Sequence, residues 1–356
     1  MRMMKKYLIF SITFFLIVFS CNQPSEVNEL KVRQVVDTIG FAQYNWQMDS
    51  IISRLDPELN SNQKWRVAIT PHDDYLYVGK LYPKILSGIK AKTVILFGVA
   101  HKASSFNLEN QIIFDSFDQW SAPYGNVKVS DLRNEIIAKL DDSLFVIHDK
   151  MQSAEHSLEA LIPFLQVNNS EIEIIPILVP YMSYERMQHT AKNLTKVLSS
   201  IMKKNKLNWA NDIAILISTD AVHYGDEDWG GKNYAPYGTD SLSLVEVKNI
   251  ELEIINNCLV GEVSPTKIQK FIQYTVQEDD YKEYKWTCCG RYSVPFGLLT
   301  AYNLNNLSKN NILKGDLVGY STSIDHAKIE VEDLRMGTTA PANNHHFVGY
   351  AAIGYK

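Results

Sequence analysis

Four apolar, β-branched runs constrain this 356-residue chain more than anything else in it: Arg66–Thr70 (RVAIT), Thr93–Val99 (TVILFGV), Ile172–Val179 (IEIIPILV) and Asp212–Thr219 (DIAILIST). Continuous apolar runs of this length, separated by stretches with helical spacing, are the pattern of buried parallel strands. Two of them lead straight into a polar cluster and a third runs up to a histidine: Pro71-His72-Asp73-Asp74, Ser218 to His223, and Gly98-Val99-Ala100-His101. In an open α/β sheet, ligand sites form beyond the carboxyl ends of the strands, where residues distant in sequence converge. A βαβ crossover puts two carboxyl ends on one edge, so His72 and His101 are expected to be neighbours.

Between the runs, Leu81, Ile85 and Ile89 predict a helix over 77–89, and Leu132–Leu140 followed by Leu144–Ile147 predicts a helix and a strand. Glu155, His156 and Glu159 are read on one helix, with Glu155 and Glu159 on the same face. Tyr184–Met202, Ser241–Cys258, Pro265–Gln273 and Pro295–Asn306 carry helical spacing, and Lys314–Ser323 and His346–Tyr355 read as strands. Asp226–Gly238, rich in Gly, Asp, Tyr and Trp, reads as a long loop near the site and a candidate lid. Residues 29–59 read as a lead-in packed on the main domain. The alternation of elements, with no internal repeat, predicts a single-domain α/β sandwich with a central, largely parallel sheet flanked by helices.

A net charge of -5 and a pI near 6.0, with Lys and Arg scattered, argue against a nucleic-acid partner. The N-terminus is different in kind. Arg2, Lys5 and Lys6 precede an apolar stretch from Tyr7 to Phe19, which is shorter than the roughly 20 residues of a membrane-spanning helix and reads as a secretory signal. Val18-Phe19-Ser20-Cys21 resembles a bacterial lipobox, so residues 1–21 are expected to be a lipoprotein signal peptide, with Cys21 acylated as the mature N-terminus. Residues 22–64 are then tether and lead-in, and 65–356 the working domain. That domain is expected in the periplasm or on the cell surface, held to the membrane by a lipid anchor. Only Cys258, Cys288 and Cys289 remain, an odd number that forms no disulfide framework.

Imidazole and thiolate together suit late first-row transition metals, whereas oxygen-only clusters suit calcium or magnesium. His72, His101, His223 and Cys289 are of the first kind, and Asp73, Asp74, Glu155 and Asp220 are candidates to complete or orient such a set. The Asp220–His223 pair equally suits a turn in which the two bond to each other or cap a helix. Cys288-Cys289 admits burial, a vicinal disulfide, or a thiolate favoured by Arg291 or a metal. A metal-free alternative uses Cys289 as nucleophile, His223 or His72 as base and Asp220 as orienter, a Cys-His hydrolase. A third class is a non-catalytic surface protein binding a metal, peptide or small ligand. Cys258 falls in a helical apolar pattern, and His148, His189, His326, His345 and His346 have no setting that assigns them a role.

PHDDYLYVG, LFGVAH, AEHSLEALIPFL, IIPILV, STDAVHYG and CCGR, in that order and spacing, resemble the Memo-like family, also called protein B of the AmmeMemoRadiSam system. The resemblance covers Trp65 to the C-terminus. It implies a fold similar to the class III extradiol ring-cleaving dioxygenases, with a metal-capable cleft at the strand ends. It further implies His72, His101 and Cys289 as ligands for iron or copper, with zinc a further candidate. Asp220, His223, Glu155 and His156 are then the candidate acid-base or orienting residues, and metal-dependent, dioxygenase-like redox chemistry on a small substrate is the expected activity. Two departures stand out: Asp73-Asp74 replaces the Ala-Gly of many relatives, and Tyr292 replaces the common His after Cys-Gly-Arg.

Overall fold

The four apolar runs form the strands Val67–Thr70, Thr93–Val99, Glu173–Val179 and Ile213–Ser218. The computed structural model describes residues 29–55, 62–308, 311–325 and 328–356. The expected signal peptide, Cys21 and the tether read over 22–28 lie outside the described residues, as does His326. The chain divides into Met1–Leu30 and a single unit, Lys31–Lys356. Among the described residues, no helix is long and apolar enough to cross a membrane.

The expected α/β sandwich is what forms. Among the described residues thirteen strands make one sheet, whose centre runs in the order Glu173–Val179, Thr93–Val99, Ile213–Ser218, Val67–Thr70, all parallel. His346–Tyr355 then joins Val67–Thr70 antiparallel, and Lys314–Thr322 continues outward from it. Side chains alternate between two cores, as strand geometry requires. Ile95, Phe97, Val67 and Ile69 face one, and Val94, Leu96 and Ala68 the other. Each fully buried aliphatic side chain contributes about 1.5–3 kcal/mol relative to exposure, so a strand buried on both faces is strongly held.

The helices Tyr184–Asn205 and Ser293–Leu307 cover the first face, where Phe296 meets Phe97 edge to face at 5.2 Å. Ser183 caps the longer helix by accepting from the Arg186 N–H at 3.2 Å. The other face is covered by shorter helices, among them Asn45–Ser53 in the lead-in, with Met48 and Ile51 buried.

Two helical readings need correction. The helix expected over 77–89 is two short ones, Tyr75–Val78 and Tyr82–Leu86. Pro83 lies in the first turn of the second, where its missing N–H costs nothing. Glu155 and Glu159 do not share a helical face: a short helix ends at Ser153, and the chain turns through 155–158 into a 3-10 turn at Glu159–Leu161. Glu159 is instead buried against Arg33, Nη1 to Oε1 at 2.6 Å. The Asp226–Gly238 segment is a loop throughout.

Candidate metal centre

Parallel register sets the site. His72, His101 and Asp220 each lie two residues past the end of a core strand, after Thr70, Val99 and Ser218, and Thr70 pairs with Ser218 across the sheet. Cys289 arrives from the far side of the chain. A bridge joins Cys288 to Val222, and the Asp220 N–H donates to Cys289 Sγ at 3.2 Å. One ring nitrogen from each of His72 and His101 and the Cys289 sulfur lie within 4.8 Å of one another. Asp220, His223 and Cys289 form a second such set, and His101, Glu155 and His156 a third. The seven residues His72, His101, Glu155, His156, Asp220, His223 and Cys289 are therefore linked in one cluster through shared members of these sets. The His101 and His156 rings stack at 4.9 Å, and His72 stands edge-on to both.

Hydrogen bonding fixes which nitrogens face inward. The Ser218 hydroxyl donates to the Ser157 carbonyl, so its oxygen must accept from His72 Nδ1–H, 2.8 Å away. His101 Nδ1 lies 2.9 Å from Glu155 Oε1, and a carboxylate accepts, so this nitrogen also carries the proton. With Nδ1 so engaged in each ring, Nε2 is the nitrogen left to face a metal, the arrangement in which a ligating histidine is oriented by a partner on its other nitrogen. Glu155 Oε2 also accepts from the His101 N–H at 2.8 Å, and Oε1 from the His156 and Ser157 N–H groups at 3.0 and 2.9 Å.

These environments separate the carboxyl groups. Burial raises Glu155, but the His101 charge and hydrogen bond outweigh it and hold the group well below the usual range. Burial, reinforced by Asp73 and Asp74, pushes Asp220 well up. Burial and then the His101 ring hold His72 well below its ordinary value. Asp220 Oδ2 lies 3.3 Å from His72 Nε2, and with both groups shifted away from their charged forms this contact is not an ion pair. His223 is pulled down to about 3 by burial and then His101, and its Nε2 is buried without a partner. Asp220 bonds to the His72 N–H at 2.9 Å, so the turn reading, in which Asp220 and His223 bond each other, is not what forms.

Cys258, Cys288 and Cys289 are all free and buried, which sets aside the vicinal disulfide. Nor does Arg291 activate a thiolate: its guanidinium lies 3.5 Å over the Tyr284 ring, while burial and then Asp220 push Cys289 well up. Gly290 permits the close approach. A Cβ there would lie 2.0 Å from Thr219 Oγ1 and 2.3 Å from Thr219 Cβ.

A cavity of about 210 Å³ opens beside His72, His101 and His156. Its wall includes residues the sequence reading left without a role: His346, Trp229 and Asp37. Trp229 comes from the loop read as a lid candidate and stacks on His346 at 3.8 Å. His346 reaches the site because Gly225, at φ +141°, lets the short strand His223–Gly225 pair closely with residues 346–348. The one signal for these residues is positional, a histidine opening a strand and a tryptophan in a glycine-rich loop.

Two imidazole nitrogens and a sulfur converging from separate elements, with a buried unpartnered imidazole nitrogen beside them, fit a transition-metal ion of the late first row. The Memo-like protein family model matches residues 42–334. A MEMO1 family protein of Aquifex aeolicus is 32% identical over 168 residues, 45% of this chain and 55% of the relative. One of Sulfolobus acidocaldarius is 27% identical over 192 residues, 52% and 61%. One of Thermococcus onnurineus is 22% identical over 310 residues, 84% and 89%. The chain matches little more than half the length of the first two relatives. The strand-end cleft and a family match covering most of the chain agree, and the chain belongs to the Memo-like protein family.

Proposed function

We propose that the chain holds a single iron or copper ion through His72 Nε2, His101 Nε2 and Cys289 Sγ, and carries out redox chemistry on a small substrate in the adjoining cavity. The convergence of these three donor residues within 4.8 Å is the observation that carries the reading. When bound, such an ion supplies one-electron chemistry and a Lewis-acid centre. The chain's residues do the rest. Glu155 and Ser218 fix the two ligand rings, and Asp220 stands beside His72, accepting its backbone N–H. His223, neutral and with Nε2 unpartnered, is the group placed to exchange a proton with a bound substrate. Because Cys289 is a neutral thiol, ion uptake releases its proton, and affinity rises with pH. A buried thiol held protonated also makes the metal-free hydrolase the poorer reading.

The test is metal stoichiometry after loading purified protein with ferrous or cuprous ion. One equivalent is expected, lost in His72→Ala and Cys289→Ser; an unchanged stoichiometry in both variants would sink the reading. Oxygen consumption with catechols or reductants then separates turnover from binding alone. We further propose that an acyl group on Cys21 anchors the domain outside the cytoplasm. Cys21→Ser should move the protein from the membrane to the soluble fraction, and retention at the membrane would refute the anchor.

A further inference from the structure

We infer that the cavity beside the ligand cluster is built for a small organic cation, a primary amine, held by Asp37, Asp73 and Asp74. The inference rests on the site proposed above and names its substrate class. Besides Asp220, which burial pushes toward its neutral form, three aspartates line the wall, and among the described residues no lysine or arginine does. Among the described residues, none of Asp37, Asp73 and Asp74 has a lysine or arginine within ion-pair distance. The carboxyl groups are held as acceptors. Asp73 takes the Asp74 N–H and the Tyr350 hydroxyl, Asp74 takes the Thr339 N–H at 2.6 Å, and Asp37 takes the Ile39 and Gly40 N–H groups, both at 2.8 Å.

A second observation points to a ligand independently. The buried polar atoms without a partner include His223 Nε2, Trp229 Nε1 and His346 Nε2, three atoms of residues that line this one cavity. Native proteins leave few such atoms, and each calls for a reason. His346 is 3% exposed, and its Nδ1 lies 3.1 Å from the Glu227 carbonyl. A carbonyl only accepts, so Nδ1 carries the proton and Nε2 is a bare acceptor in the neutral ring. The carboxyl oxygens, with no basic side chain against them, and this nitrogen together ask for a donor-rich partner, and the Phe41 and Trp229 rings on the wall suit an ammonium group. A 150 Å³ cavity holds benzene, so by proportion this one takes about eight heavy atoms.

The probes are benzylamine, benzyl alcohol and benzoate, matched in size, titrated calorimetrically into metal-free and metal-loaded protein at low salt. Benzylamine should bind at least about tenfold more tightly than benzyl alcohol in both forms, with benzoate weakest, the spread expected of close charges in a partly solvated cleft. Asp73→Asn and Asp37→Asn should each cost benzylamine about tenfold and leave benzyl alcohol unchanged. Both keep an acceptor oxygen, and Asp37, half-buried, carries the test if the Asp73 variant does not fold. Benzylamine binding no tighter than the alcohol, not binding, or indifferent to both variants would overturn the proposal. Metal content measured on the same samples keeps the two readings apart. Amine selectivity in protein that takes up no metal defeats only the metal reading, and full metal uptake without amine selectivity defeats only this one.

Discussion

Glu155→Gln tests the logic of the centre most directly, because it changes one atom in a side chain that touches no proposed substrate. Oε1 receives three donors, the His101 ring and the His156 and Ser157 backbones, and Oε2 receives one, the His101 backbone. Glutamine keeps its carbonyl oxygen where three of the four bonds are made. Its amide nitrogen then faces the His101 N–H, donor against donor. The flipped amide would lose three bonds to keep one, so the first orientation wins. One buried donor is left unpaired, at a cost of about 1–3 kcal/mol.

Metal affinity responds separately. His101 keeps an acceptor for its Nδ1–H but loses the carboxylate charge that raises its basicity, and altering such a partner costs about 10–100-fold in affinity. Chelator competition with ferrous or cuprous ion measures this, and urea unfolding measures the stability term. A pH signature distinguishes the charge from the lost bond. Glu155 is depressed in the folded state below its usual 4.5. Its charge therefore contributes stability that is fully present above that value and is lost as pH falls below it. The gap between wild type and Glu155→Gln should narrow on acidification below 4.5. Wild-type metal affinity in Glu155→Gln, alongside loss of binding in His101→Ala, would refute the contribution of the Glu155 charge.

Glu251 behaves oppositely. Burial raises it to about 7, against the hydrogen bonds from Trp286 and the Val222 N–H, so the folded state holds its proton over a range where the unfolded chain has released it. Stability from this group is lost as pH climbs from the usual 4.5 through 7, by about 3 kcal/mol at most. Glu251→Gln should be more stable than wild type at pH 9 and nearly equal to it at pH 4.5; a pH-independent difference in urea midpoints would contradict this. Gly290→Ala places a methyl against Thr219 and should cost about 1–3 kcal/mol while weakening metal binding through Cys289. Unchanged affinity in the folded variant would show that the Cys289 loop yields without moving its sulfur.

Strands were legible and helix breaks were not, for the same reason. A run such as Thr93–Val99 is apolar at every position because both faces are covered, and its limits in the structure are those of the pattern. Helical spacing reports only which residues are buried. Leu81, Ile85 and Ile89 are buried as a helix would have them, yet a new helix with Pro83 in its first turn begins at Tyr82, inside the series. Glu155 and Glu159 fit a helical face by spacing, but buried partners decide their positions, His101 for one and Arg33 for the other.

The site divides along sheet direction. Parallel strands deliver their carboxyl ends to one edge, so a polar residue two past Thr70, Val99 or Ser218 announces itself as soon as the strands are recognised. An antiparallel strand brings its first residue to that same edge. His346–Tyr355 pairs with Val67–Thr70 with Tyr355 opposite Val67 and Ile353 opposite Ile69, so the start of the strand lies beyond the end where His72 sits. His346 was therefore as well placed as His72 in the chain's topology. It went unassigned because an apolar run is the same pattern read in either direction. Only pairing partners fix the direction, and these lie some 280 residues away in sequence, Ile353 against Ile69. The general consequence is that, once one edge of a mixed sheet is known to hold a site, residues opening its antiparallel strands belong beside those closing its parallel ones.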